Sequence, residues 1–145
     1  KDMLGVLNAL KKENCSYLLS LVEATEFSNY CDQGVLVSES NKRSINFVRL
    51  PIADLGIPKN DTLDGFNKLR PRLLEAIKSG NSIAIHCMGG LGRSGTVAAI
   101  ILRDLGIPAQ SAIDIVRQSR PGAIETKEQE LFVSSIASNH LKDSE

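Results

Sequence analysis

The sequence predicts an α/β fold, with helices layered on both faces of a central, mostly parallel sheet of four to five strands. Three observations carry that expectation. Short apolar runs alternate along the chain with longer segments whose apolar residues recur at helical spacing, the order a layered βα protein requires. The short runs are apolar throughout, as in strands covered on both faces. The 145 residues are 42% hydrophobic and 23% charged, sufficient for one core in one domain.

Taken in order, Met3, Leu4, Val6, Leu7 and Leu10 place an amphipathic helix over Met3–Glu13. "SYLLSLV" (Ser16 to Val22) reads as a buried strand and "EATEFSNY" as a helical turn. A strand is expected either in "GVLVSES" (Gly34 to Ser40) or ahead of Lys1. "INFVRLPIAD" (Ile45 to Asp54) is a strand that runs into a Pro- and Gly-containing loop. A long helix follows from about Asp61, its expected N-cap, to Ser79, with Pro71 set to kink or split it. "NSIAIH" (Asn81 to His86) is a third strand and Arg93 to Leu105 a helix. Pro108 opens the next helix, and "TKEQ" has the form of a capping box at Thr126 for a last helix reaching Leu141.

Formal net charge is zero, with Lys and Arg together numbering 17 against 17 Asp and Glu, so broad electrostatic binding to nucleic acid or membrane is not expected. No apolar run is long enough to span a bilayer, and the first residues lack the small-residue cleavage site of a secretory signal. The three cysteines, Cys15, Cys31 and Cys87, are too few and too scattered for a disulfide framework, which points to a reducing compartment, the cytoplasm by default. With two histidines, His86 and His140, and no C-x-x-C pair, neither a metal site nor any other cofactor is expected.

The informative stretch is "HCMGGLGRSG", between a strand and a helix. Ligands of open α/β sheets bind beyond the carboxyl ends of the strands, and the third strand delivers Cys87 to that edge. Backbone amides of Met88, Gly89, Gly90, Leu91 and Gly92 can form a nest around an oxyanion, with the dipole of the following helix behind them. Phosphate or sulfate fits best. The same amides stabilise a thiolate at Cys87. Arg93 can grip two phosphoryl oxygens through its planar fork, and Ser94 can donate to the sulfur when it leaves. The chemistry implied is in-line attack of the thiolate on phosphorus, followed by hydrolysis of a phosphocysteine. No Gly-Lys-Ser/Thr is present, so Mg²⁺-dependent nucleotide hydrolysis is disfavoured.

These residues resemble the His-Cys-x5-Arg-Ser/Thr signature of the cysteine-dependent protein tyrosine phosphatase superfamily. The mid-chain cysteine suits its dual-specificity branch. "LPIAD", "HCMGGLGRS" and "GAIETKEQ" together are most similar to the kinase-associated phosphatase (cyclin-dependent kinase inhibitor 3) group, over roughly Phe47 to Phe132. The resemblance implies a protein tyrosine phosphatase-like fold, with residues 1–145 forming one catalytic domain short of one or more N-terminal strands. It also implies a metal-independent phosphatase for phosphotyrosine, phosphoserine or phosphothreonine. The expected partner is a phosphorylated protein, a kinase among the candidates, and the chain is expected to be a monomer.

A leaving alkoxide or phenolate needs a proton. Asp54, in a loop directly after a strand, is the expected general acid and Asp61 the runner-up. His86 is expected to hydrogen-bond the loop and help hold Cys87 as thiolate. Gln129 matches a glutamine that positions the hydrolytic water in relatives, and it is equally the N3 residue of the Thr126 capping box. Glu125 departs from the group, which tends to have Gln there. Arg49, Arg70, Arg72, Arg117 and Arg120 read as solvated charges, some of them rimming the pocket. Cys15 or Cys31 would protect an oxidised Cys87 as a disulfide only if the fold brought them close. Two other readings compete. Phosphatases for phosphoinositides, inositol phosphates or RNA 5′-phosphate favour lysines inside the loop, which "MGGLG" lacks. A phosphoprotein-binding pseudophosphatase would not need to retain Cys87, Arg93, Ser94 and an acid.

Overall fold

The computed structural model describes residues 3–28, 32–87 and 91–139. Ten elements follow one another: α1 (Met3–Lys12), β1 (Cys15–Ser20), α2 (Ala24–Ser28), α3 (Gln33–Lys42), β2 (Asn46–Arg49), α4 (Asn60–Lys78), β3 (Ser82–His86), α5 (Gly92–Asp104), α6 (Ala109–Ser119) and α7 (Lys127–Ser135). Among the described residues the sheet has three strands in the order β2-β1-β3, with β1 parallel to both neighbours.

Strand periodicity sorts the side chains into two cores. Tyr17 and Leu19 of β1, Val48 of β2, and Ile83 and Ile85 of β3 face the larger core, built with α4 to α7 around Phe66, Leu73, Val97 and Ile100. Leu18, Phe47 and Ala84 face the opposite way, into a smaller core with Leu7 of α1 and Leu36 of α3. Both faces are therefore covered, which is why these strands read as continuous apolar runs.

The register places Ser20, Arg49 and His86 side by side at the carboxyl edge. Backbone bonds carry the pairing past the strands: Leu21 N donates to His86 O at 2.8 Å, Leu50 N to Ser20 O at 2.9 Å and Ile52 N to Leu21 O at 3.0 Å. Three segments thus leave the sheet together: the turn into α2, the loop holding Asp54, and the loop beginning at Cys87.

Several expectations are corrected. The segment "GVLVSES" is helical, inside α3. Asp32 caps it, its carboxylate accepting from Gly34 N and Val35 N, and Leu36 alone of the apolar trio is buried. Lys59, not Asp61, is the N-cap of α4, and Asp61 lies exposed in its first turn. Pro71 neither splits α4 nor meets the core: its exposed ring lies off the buried stripe of Phe66, Leu69, Leu73 and Leu74. Helix α7 stops at Ser135, where Ile136 turns extended. The Arg103 guanidinium donates to the carbonyls of Val133 and Ile136, and Ser138 Oγ donates to Arg103 O at 2.7 Å, so the tail is held against α5.

Arg70 is a buried anchor, not a solvated charge. It donates to both oxygens of Asp104, at 2.9 and 2.7 Å, and to Ala137 O, tying α4 to α5 and the tail.

Candidate active site

Cys87 follows β3 directly, and its sulfur lies 3.2 Å from Ser94 Oγ in the first turn of α5. Met88, Gly89 and Gly90, three of the expected phosphate-binding residues, lie outside the described residues, as does Cys31. Leu91 is the N-cap of α5, its carbonyl accepting from Gly95 N at 2.9 Å, and Thr96 Oγ1 donates back to Gly92 O at 2.6 Å. Gly92 is required by close approach: a Cβ there would meet Gln129 Oε1 at 2.9 Å and would overlap Glu125 Oε1 outright.

The Arg93 side chain is buried, 2% exposed. Its Nη1 donates to Glu26 Oε1 at 2.8 Å and to Ile52 O at 2.9 Å, and its Nη2 donates to Glu26 Oε2 at 3.0 Å. Asp54 Oδ1 lies 3.8 Å from Nη2. The hydrogen bonds from Arg93 hold the Glu26 carboxyl below its usual range, and Glu26 in turn raises Arg93. The sequence reading missed Glu26. The available signal was an acid in "EATE", on the turn leaving the first strand at the carboxyl edge; its oxygen also accepts from Glu23 N at 2.8 Å.

Asp54 is 66% exposed, open to solvent. It sits in a turn closed by Gly56 N donating to Ala53 O at 2.8 Å, with Leu55 at φ +66°. The flanking backbone is fastened. Arg93 holds Ile52 O, Thr62 Oγ1 donates to Pro51 O at 3.0 Å, and Gln129 Nε2 donates to Gly56 O at 3.0 Å. Of the two acid candidates, Asp54 is the one beside Arg93.

His86 is half-buried, and burial pushes its pKa below the ordinary histidine value. The Arg93 charge acts in the same direction and Glu26 opposes it. The imidazole is consequently neutral at pH 7.

Gln129 is fully buried and completes the expected capping box: Thr126 Oγ1 accepts from Gln129 N at 3.0 Å, and Gln129 Oε1 accepts from Thr126 N at 3.1 Å. Arg117 supports the same region, donating to the carbonyls of Ala123 and Ile124 at 3.0 and 2.7 Å. Cys15 belongs to the smaller core at the far end of β1, opposite Ser82, and burial raises its thiol pKa. At ~3.3 Å per residue that is about 16 Å from Cys87, too far for a disulfide. No helix among the described residues is long and apolar enough to cross a membrane.

Cys87 at the end of a strand, the Ser94 hydroxyl, buried Arg93 and the Asp54 loop thus share one edge of the sheet. The comparisons give the class. Residues 11–133 match the family model described as the Swiss Army Knife protein, DSP-PTPase phosphatase domain, and the chain belongs to that family. It is 30% identical over 105 residues to protein tyrosine phosphatase type IVA 2 of Mus musculus, a match covering 72% of this chain and 62% of the relative. The chain thus spans about three-fifths of that curated relative's length. Among solved structures it is similar to Tk-PTP in the active form, at 32% identity and TM-score 0.69 over 90% of this chain and 82% of that one. It is also similar to kinase associated phosphatase with its catalytic-site cysteine replaced by serine, at 28% identity and TM-score 0.74 over 97% and 76%.

Proposed function

We propose that the chain is one catalytic domain that hydrolyses phosphotyrosine, phosphoserine or phosphothreonine on proteins, without a metal, through a phosphocysteine on Cys87. The observation that carries this reading is the convergence on Arg93 of two carboxylates with different surroundings, next to a cysteine paired with a serine hydroxyl. Glu26 is hydrogen-bonded to the guanidinium and stays ionised, whereas Asp54 stands 3.8 Å away and open to solvent.

In the first step the Cys87 thiolate attacks phosphorus in line. The P–S bond forms, the ester P–O bond breaks, and Asp54 gives its proton to the departing oxygen. Arg93 holds phosphoryl oxygens as their charge redistributes. In the second step water attacks phosphorus, Asp54 takes a proton from it, and the sulfur leaves with the Ser94 hydroxyl donating to it. Neutral His86, the residue before Cys87, adds no positive charge of its own to this edge. A phosphorylated kinase is a candidate substrate, because one similar structure is a kinase associated phosphatase. Three scattered cysteines, with no C-x-x-C pair, suit a reducing compartment such as the cytoplasm.

The direct test is phosphate release from 4-nitrophenyl phosphate in EDTA. Turnover should be metal-independent and fall to background in Cys87→Ser. Unchanged turnover in that variant, or none in the native protein, sinks the assignment. Capture of phosphoproteins by Asp54→Ala then identifies the substrate.

A further inference from the structure

We infer that Gln129 is a positioning residue for the general acid, tying the loop that bears Asp54 to the first turn of α7. The inference rests on the reading of Asp54 given above.

The amide of Gln129 has one possible orientation. Its Oε1 accepts from two backbone N–H groups, Glu125 N at 2.8 Å and Thr126 N at 3.1 Å. The nitrogen end must then face the other way, where Nε2 donates to Gly56 O at 3.0 Å. The residue is 0% exposed, so water does not replace these bonds. The capping box uses only the oxygen. The donor to Gly56 is additional, and it crosses from α7 to a loop 73 residues earlier.

That bond completes a symmetrical restraint. Arg93 holds the carbonyl of Ile52 and Gln129 that of Gly56, with Asp54 midway between them. The enclosed turn carries Leu55 in a left-handed conformation that L side chains rarely adopt, so it does not hold its shape by local preference. The two anchors supply what the local sequence does not. A water-positioning role fits the same amide poorly. Both acceptor positions of Oε1 are occupied, so the group cannot accept a hydrogen bond from an attacking water and offers it only the second Nε2 hydrogen.

Gln129→Glu separates the two duties: a carboxylate still accepts from Glu125 N and Thr126 N but cannot donate to Gly56 O. The probes are 4-nitrophenyl phosphate, whose leaving group departs with little protonation, and phenyl phosphate, which depends on the acid. Gln129→Glu should lower kcat a few-fold on the first and about a hundredfold on the second, the cost of roughly ångström-scale misplacement. Asp54→Ala should show the same leaving-group dependence, more strongly. Thr126→Ala, which breaks the cap and spares the clamp, should lower Tm and leave the ratio of the two rates unchanged. If Gln129→Glu does not fold, Gln129→Met fills the same buried volume and is read by the same ratio.

Equal losses on both substrates overturn the inference. So does a burst of nitrophenol with accumulated phosphocysteine, which would assign Gln129 to the water step instead. If Asp54→Ala itself shows no leaving-group dependence, the acid assignment fails and the inference falls with it. A leaving-group effect in Asp54→Ala but not in Gln129→Glu fails the inference alone.

Discussion

Arg70 and Arg93 are both buried, and each holds a carboxylate at hydrogen-bond distance, yet their surroundings differ in kind. Arg70 and Asp104 are 5% and 2% exposed, and the pair also bonds Asn67, Ala137 O and Asn139 N, which lead outward to the surface. Both charged groups of that pair are closed to solvent. Arg93 is as deeply buried, but Glu26 is 27% exposed and Asp54 66%, and its backbone partner belongs to the acid loop. One arginine closes a core; the other brings a fixed positive charge to the mouth of a site. A buried ion pair by itself is weak evidence for either role. What separates them is whether the carboxylate partners sit among core elements or at the sheet edge beside Cys87, the proposed nucleophile.

That contrast is broken most directly by exchanging the two arginines for residues that keep less of their function. Arg70→Ala leaves Asp104 buried without its partner and should cost about 3–5 kcal/mol of stability. Activity per folded molecule should survive at low temperature. Arg93→Lys retains charge but loses the planar fork, so kcat on 4-nitrophenyl phosphate should fall roughly a hundred- to a thousandfold. Its thermal midpoint should move much less, because Glu26 can be rehydrated. Thermal melts and initial rates on both variants decide it. If Arg93→Lys were the less stable and Arg70→Ala the less active, the assignment of roles would be reversed.

Glu26 sharpens the comparison at smaller amplitude. Glu26→Gln keeps the shape and removes the charge that fixes the guanidinium, and kcat should drop on the order of tenfold with a modest change in KM. The native stability profile carries the same information. The folded-state pKa of Glu26 is depressed, so the unfolded chain takes up the proton first as pH falls. Its contribution is complete above the ordinary glutamate value of ~4.3 and is lost as pH drops through the folded value. Urea melts of Glu26→Gln should therefore show a shallower loss of stability in that acidic range. An unchanged slope would mean that Arg93 does not depend on this carboxylate.

The sequence shows these relations unevenly, for physical reasons. The three strands and the helices other than α3 were legible because period and apolar content follow from which faces are buried. Cys87, Arg93 and Ser94 were legible because their spacing is local, and Asp54 because a Pro- and Gly-containing loop after a strand lies at the same edge. Glu26 was not, since its partner stands 67 residues away and only the fold brings the two together. Arg70 had a readable signal: it shares the helical stripe of Phe66, Leu69 and Leu73, where a side chain faces the core whatever its charge. The helix at Gly34–Ser40 was ambiguous because Val35, Leu36 and Val37 form a run as short as a strand. The deciding feature, the Asp32 cap, precedes that run.

His86 gives a gentler pH effect on the site side of the contrast. Burial and then Arg93 depress its pKa, so on acidification the unfolded chain binds a proton that the folded one still resists. Stability should be complete above about pH 6.5 and decline as pH falls below it towards the depressed value. His86→Asn should flatten that part of the profile. No flattening would show that the imidazole is not desolvated in solution.

The smallest effect concerns the acid loop itself. Leu55 occupies a left-handed backbone position, φ +66°, that costs a non-glycine residue roughly 1–2 kcal/mol. Its side chain is 53% exposed, so little burial offsets that strain. Leu55→Gly relieves the conformation but frees the unfolded chain, and the two terms partly cancel, leaving a gain of about 0.5–1 kcal/mol by denaturant melts. On that expectation Leu55 stands at a net cost in stability, directly after Asp54. A gain in stability accompanied by a raised KM for aryl phosphates would show that the strained leucine contributes apolar contact to the substrate. A loss of stability in Leu55→Gly would mean that the turn is not strained in solution.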